Sequence, residues 1–314
     1  MTPHSGCRRH DGAVLAVLLL APLAARAHGV EHAGARFAWS LEPWVLACLG
    51  ISALLYALGL RRLWGHAGAA RGIGAWHAGA FGAGWLTLAA ALLSPLDTLG
   101  AQLFSAHMVQ HELLMVVAAP LLVLGRPLVA WTWALPMTAR RSVGAWTRHP
   151  RWARPWHAIT APFGAWLLHA IALWAWHLPA LFDAALANQA VHALQHASFL
   201  IGALLFWWSV LGHAAPRACG AALASLFTTL LHTAALGALL ALAAAPWYAA
   251  YAGRAAAFGL SALEDQQLGG MVMWMPAGFG YLATALVLMA RLLAGKAGAA
   301  VRRAPPGMRR YGPS

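Results

Sequence analysis

The sequence predicts an all-α, polytopic transmembrane helical bundle with seven spans after a cleaved signal peptide. Two observations carry this. Only 9% of the 314 residues are charged and 61% are hydrophobic, whereas a soluble domain carries about 25% charged residues. Several apolar runs also reach the roughly 20 residues that a helix needs to cross a bilayer, and a helix satisfies its own backbone in lipid.

Residues 1–27 read as a secretory signal: Arg8 and Arg9, an apolar stretch from Val14 to Ala25, then Ala25-Arg26-Ala27 as a small-residue cleavage site. Residues 28–293 form the membrane domain, with spans at about 41–60, 73–93, 103–124, 157–178, 188–211, 220–244 and 268–293. Residues 294–314 make a basic tail rich in Arg, Gly and Pro, expected to be disordered and apposed to anionic lipid.

The alternating connections set the orientation. Arg61, Arg62, Arg71, Arg126, Arg140, Arg141, Arg148, Arg151, Arg154 and Arg217 share one side with the tail, and Arg36 and Arg254 fall on the other. The positive-inside rule then puts the mature N-terminus outside the cytoplasm and the C-terminus inside it. The net charge of +13 therefore reports topology, and nucleic acid is not an expected partner. Pro127–Pro136, with Trp131 and Trp133, is too short to cross and suits an interfacial helix. Cys7, Cys48 and Cys219 make neither a disulfide framework nor a Cys-x-x-Cys metal motif.

The chemistry concentrates in two repeated stretches, HMVQH at 107–111 and HALQH at 192–196. On helices, this spacing puts His107, Gln110 and His111 on one face, and likewise His192, Gln195 and His196. Both stretches lie early in outside-to-inside spans, His177 lies at the outer end of the fourth, and Met271, Met273 and Met275 lie at the outer end of the seventh. A single intramembrane imidazole, such as His77, His169 or His232, reads first as a helix-packing residue. Two paired faces at one depth read as a site.

Neutral imidazole binds copper, zinc or iron, and a thioether selects Cu(I), so histidine with methionine points to copper, with Cu(I) favoured. The expected ligands are His107, His111, His192 and His196, with His177 and Met271 as auxiliaries. Gln110 and Gln195 would hold the rings or brace the helices, and Asp265 would cap or border the seventh span. Glu112 is rotated about 100° from His111 and need not face the same site. A mature terminus at His28, with His32, is a further chelator on paper, outweighed by the ordinary mobility of termini. Haem held between histidines is the alternative cofactor, a copper permease the alternative transporter, and a purely structural bundle the third reading.

Three segments, SPLDTLGAQLFSAHMVQHELLMVVAAPLLVLGRP (94–127), WAWHLPALFDAAL with VHALQHASFLIGALLFWW (174–208), and EDQQLGGMVMWMP (264–276), occur in this order. Together they resemble the multi-spanning CtaG-type cytochrome c oxidase assembly factors. The resemblance implies a bacterial inner-membrane protein, N-terminus periplasmic, needed for assembling a haem-copper oxidase and handling copper at the outer face; the leading expectation is a non-enzymatic metallochaperone, with oxidase subunits or a periplasmic copper carrier as partners. It carries over onto His107, His111, His177, His192, His196, Asp265 and Gln266. Glu112 departs from it, because an apolar residue is expected there.

Overall fold

The computed structural model describes residues 37–212 and 216–303, without the side chains of 216–218 and 295–303. The signal segment, His28 and His32 lie outside the described residues. Thirteen α-helices are described, and no strand occurs among the described residues.

Proline opens most of them. Helices α1 (Pro43–Ala67), α3 (Pro95–Gly100), α6 (Pro127–Ala134), α8 (Pro150–Thr160), α9 (Pro162–Trp176), α10 (Pro179–Ala187) and α12 (Pro216–Ala241) all begin on one. There the missing N–H costs nothing and φ is already helical. The others are α2 (Ala75–Leu93), α4 (Phe104–Glu112), α5 (Ala119–Leu124), α7 (Met137–Arg148), α11 (Gln189–Leu211) and α13 (Ala262–Arg303).

Among the described residues, six helices are long and apolar enough to cross a membrane, and the bent pair α8–α9, taken as one span, brings the number to seven. Their outward faces carry Leu46, Ile51, Leu54, Phe227, Leu231 and Leu286, all exposed as lipid-facing residues would be. The chain is a multi-pass α-helical membrane protein.

Three departures from the sequence reading have local causes. The fourth span is not one rod: α8 and α9 meet at 67°, because Pro162 forces Ala161 into extended geometry (ψ 148°). The third span passes through a π-helical stretch, Leu113–Ala118. Pro120 in α5 cannot pair with the carbonyl four residues back, and the wider turn absorbs the mismatch. The Trp207 indole N–H donates to one of the carbonyls of this stretch, that of Met115, at 2.8 Å. Helix α13 runs on to Arg303, through the Ala-rich start of the segment expected to be a disordered tail; residues 304–314 lie outside the described residues.

Helix α6 packs along the second half of α1 instead of lying apart from it. Trp131 donates to the Ser52 carbonyl (3.1 Å), Tyr56 donates to the Gly125 carbonyl (2.8 Å), and Arg62 donates to the Ala134 carbonyl. Gly59 lies directly against the Ala130 carbonyl, leaving no room for a Cβ. Gly59→Leu should therefore lower the thermal midpoint of purified protein by the equivalent of about 1–3 kcal/mol of overpacking. Gly50→Leu on the same helix, where nothing lies within 4 Å, should leave it near the wild-type value.

Candidate metal centre

The site is built on α4, and α4 is positioned from the far end of the chain. Asp265, in the first turn of α13 and fully buried, accepts from the Phe104 N–H (2.6 Å), the Ser105 N–H (3.0 Å) and the Ser105 hydroxyl (2.5 Å). The sequence reading has Asp265 border its own helix. Instead it caps another one, placing a carboxylate at the positive end of α4's dipole. One turn further along α13, Gly269 admits the Phe104 ring against its backbone. These contacts set the height of α4.

Gln110 fixes its rotation. Its Nε2 donates to the Ala91 carbonyl of α2 (2.8 Å) and to Asp97 Oδ1 of α3 (2.9 Å), so it braces helices, one of the two roles expected of it. Gln195 is fully buried and lies beside the His107 ring. On the facing side, Asn188 caps α11 by accepting from Ala190 N–H (2.9 Å) and Val191 N–H (3.2 Å). That cap places His192 in the first turn of α11.

The two histidine pairs then meet. Ring centroids of His107 lie 5.4 Å from His192 and 5.8 Å from His196, and His111 lies 5.3 Å from His196. Within the pairs the separations are 4.3 Å and 4.1 Å. One ring nitrogen from each of His107, His192 and His196 falls within 4.8 Å of the other two, close enough for one ion to bridge them. His111 stands beside this trio, and His177 joins from the end of α9, 6.3 Å from His111.

Convergence, more than hydrogen bonding, separates these imidazoles from His169 and His232, whose ring nitrogens are unpaired as well. Both ring nitrogens of His107 and His111 are buried without a partner, as are Nε2 of His177, His192 and His196. Each buried polar atom left unpaired costs roughly 1–3 kcal/mol, a large sum against a net stability of about 5–15 kcal/mol. In His177, Nδ1 lies 2.7 Å from the Leu173 carbonyl. A carbonyl only accepts, so the proton sits on Nδ1 and the lone pair on Nε2 is free to bind. Metal-ligating histidines commonly show this arrangement.

The floor and cover are aromatic. Phe199 packs against His111 (4.6 Å) and His177 (6.1 Å), and Phe182 of α10 packs against His107 (5.1 Å). Tyr248 and Tyr251, from the connection between α12 and α13, close over Phe182 and Phe104. Their hydroxyls donate to the carbonyls of His177 (3.0 Å) and Gly100 (2.7 Å). Burial raises both phenol pKa values above the ordinary range, with nearby carboxylates adding to it, so both stay protonated donors. Gln266 secures the same connection by accepting from the Trp247 N–H at 2.6 Å.

Two expected participants fall elsewhere. Met271 is 44% exposed and lines an outward groove with Leu230, Trp274 and Phe279, so the structure does not bring it to the histidines. The buried methionine of that trio is Met273, on the Asp265–Gly269 face of α13 that meets α4. Glu112 is buried with Oε2 unpaired and lies by Tyr281 of α13, on the side of α4 away from the histidines. Asp97, Phe182, Phe199, Tyr248 and Tyr251 entered no expected site. Asp97 had a signal, its place in the SPLDTLG stretch of the resemblance; the tyrosines sit in a connection without a readable pattern.

A family model described as cytochrome c oxidase caa3 assembly factor (Caa3_CtaG) matches residues 54–294. The chain belongs to this family. Among curated relatives of this caa3 assembly-factor chain are two uncharacterized proteins, from Mycobacterium bovis and Mycobacterium tuberculosis. Each is 27% identical over 243 residues, which cover 67% of this chain. The match spans only 36% of the length of either relative. No solved structure matches.

The cap makes a direct prediction. Asp265→Ala should lower the thermal midpoint by the equivalent of about 1.5–3 kcal/mol, the worth of hydrogen bonds to a charged group. Amide exchange at Phe104 and Ser105 should accelerate with it, while Asp265→Asn, which keeps an acceptor, should lose less by both measures.

Proposed function

We propose that this chain binds copper at the periplasmic side of a bacterial inner membrane and supplies it during assembly of a haem-copper cytochrome c oxidase. His107, His192 and His196 are the core ligands, with His111 and His177 as further donors. The observation that carries the reading is the convergence of one ring nitrogen from each of these three buried or half-buried imidazoles within 4.8 Å. The step is binding and release, without catalysis.

The metal follows from donor chemistry. With Met271 facing outward, the expected thioether for Cu(I) is lost, and an all-imidazole set suits copper or zinc. Copper ranks above zinc in general affinity for such ligands, and the family's assembly role favours it again. The arginines Arg61, Arg62, Arg140, Arg148, Arg151 and Arg154 lie at the opposite end of the bundle from the histidines, on α1, α7 and α8. The positive-inside rule therefore supports a periplasmic site.

The rival readings have weaker support. One ring nitrogen from each of His107, His192 and His196 lies within 4.8 Å of the others, a spacing that fits one small ion among them better than a macrocycle, which favours a small ion over haem. Continuation inward is blocked by Phe199 and by Leu173, both buried. The next imidazole on α9 is His169, eight residues from His177 and so about 12 Å away along the helix. That favours a site open to one side over a permease path.

Purified protein equilibrated with copper and passed through a desalting column should retain the metal, and the His107→Ala/His111→Ala double variant should lose most of it at unchanged folded yield. A double variant that retains as much copper as the wild type would contradict the proposal. In cells, the same variant at normal abundance should lower oxidase activity.

A further inference from the structure

Beside the histidine cluster, one cavity reaches from the surface to the rings. Its wall includes Ser40 and Glu42 ahead of α1, Asp97 of α3, and Gln189 and Ala193 of α11, and His107, His192 and His196 also line it. Two carboxylates thus lie on this wall, and imidazoles stand at its inner end. Glu42 and Gln189 meet across it, where Gln189 Nε2 donates to Glu42 Oε1 at 2.5 Å. Asp97 stands further in, held by Gln110 (2.9 Å) and close enough to His192 to act on it electrostatically.

Its surroundings sharpen the field. A second cavity of about 330 Å³ adjoins the first, sharing Trp44, Val45, Leu92 and His196, and is otherwise walled by apolar residues such as Phe81, Leu114 and Leu200. A passage with charge of one sign against low-dielectric walls concentrates field lines and raises the local concentration of the opposite ion. A pair of carboxylates alone would be a solvated rim. Here they lead to His107 and His196, buried residues whose Nε2 atoms have no hydrogen-bond partner.

We propose that this passage is the portal of the site: a metal cation enters and leaves between the start of α1 and the start of α11, drawn by Glu42 at the mouth and then by Asp97, before the imidazoles take it. This rests on the metal-binding reading above. Glu42 and Asp97 act as guides and not as final ligands, and the Glu42–Gln189 hydrogen bond is the contact that must yield when the ion passes. No bond is made or broken in the passage except those of ion coordination.

Stopped-flow mixing of the full chain with Cu(II), followed with a chromogenic copper indicator at several salt concentrations, tests this. The Glu42→Gln/Asp97→Asn double variant should associate about 10-fold or more slowly, in line with the gain that electrostatic steering brings, and should lose the wild type's salt dependence. Glu42→Gln should bind the same amount of copper at equilibrium. Ala193→Trp, which narrows the passage without changing charge, should slow uptake and release together. Rates within twofold of wild type in both variants would overturn the portal, as would an Asp97→Asn variant that binds less copper at an unchanged rate, since Asp97 would then be a ligand. No copper uptake by the wild type would instead remove the metal-binding reading, and the portal with it.

Discussion

One carboxylate holds the arrangement together. Asp265 sits at the N-terminus of a helix that begins 161 residues earlier in the chain, and its three hydrogen bonds join the last span to the third. The first-turn N–H groups of α4 are donors that its own helix cannot satisfy. A buried anion there satisfies two of them and meets the helix dipole. With the entrance of α4 fixed in height by Asp265 and in rotation by Gln110, His107 and His111 have one place to point, and α11 answers from its Asn188 cap.

Such rigidity has a use. A cluster of neutral imidazoles with unpaired nitrogens is unfavourable on its own account, and it persists only where the surrounding structure leaves the rings no better partners. Phe182, Phe199, Tyr248 and Tyr251 do this by filling the space around the rings with apolar surface, while the two phenol hydroxyls bond to backbone carbonyls. On the proposed reading, the free energy that packing spends on holding these nitrogens apart from other donors would be available again on binding an ion. A preorganised donor set of this kind needs little rearrangement on loading.

Much of this was legible in the sequence, and the limits have physical reasons. HMVQH and HALQH could be read because helical spacing and membrane depth both follow from local rules, so their meeting is a consequence of two spans that start at one level. Met271 and Met273 show where such rules stop. The helical period says that they point in opposite directions, but only tertiary packing, through Gly269 against Phe104, decides that Met273 faces inward and Met271 faces lipid. Asp265 was visible as a capping residue, yet which helix it caps depends on a contact across most of the chain. The break before Pro162 was available from the proline itself and was masked by the apolar run on both sides. Tyr248 and Tyr251 had no periodic context at all.

The central claim is that imidazole nitrogens alone, drawn from α4, α9 and α11, bind the metal. X-ray absorption at the copper edge on copper-loaded protein tests it most directly, because scattering from imidazole rings and from sulfur differ in distance and pattern. The account predicts a nitrogen-only first shell with the outer-ring scattering of at least three imidazoles, unchanged in Met271→Leu. A sulfur shell that disappears in Met271→Leu, or a shell without imidazole scattering, would contradict it.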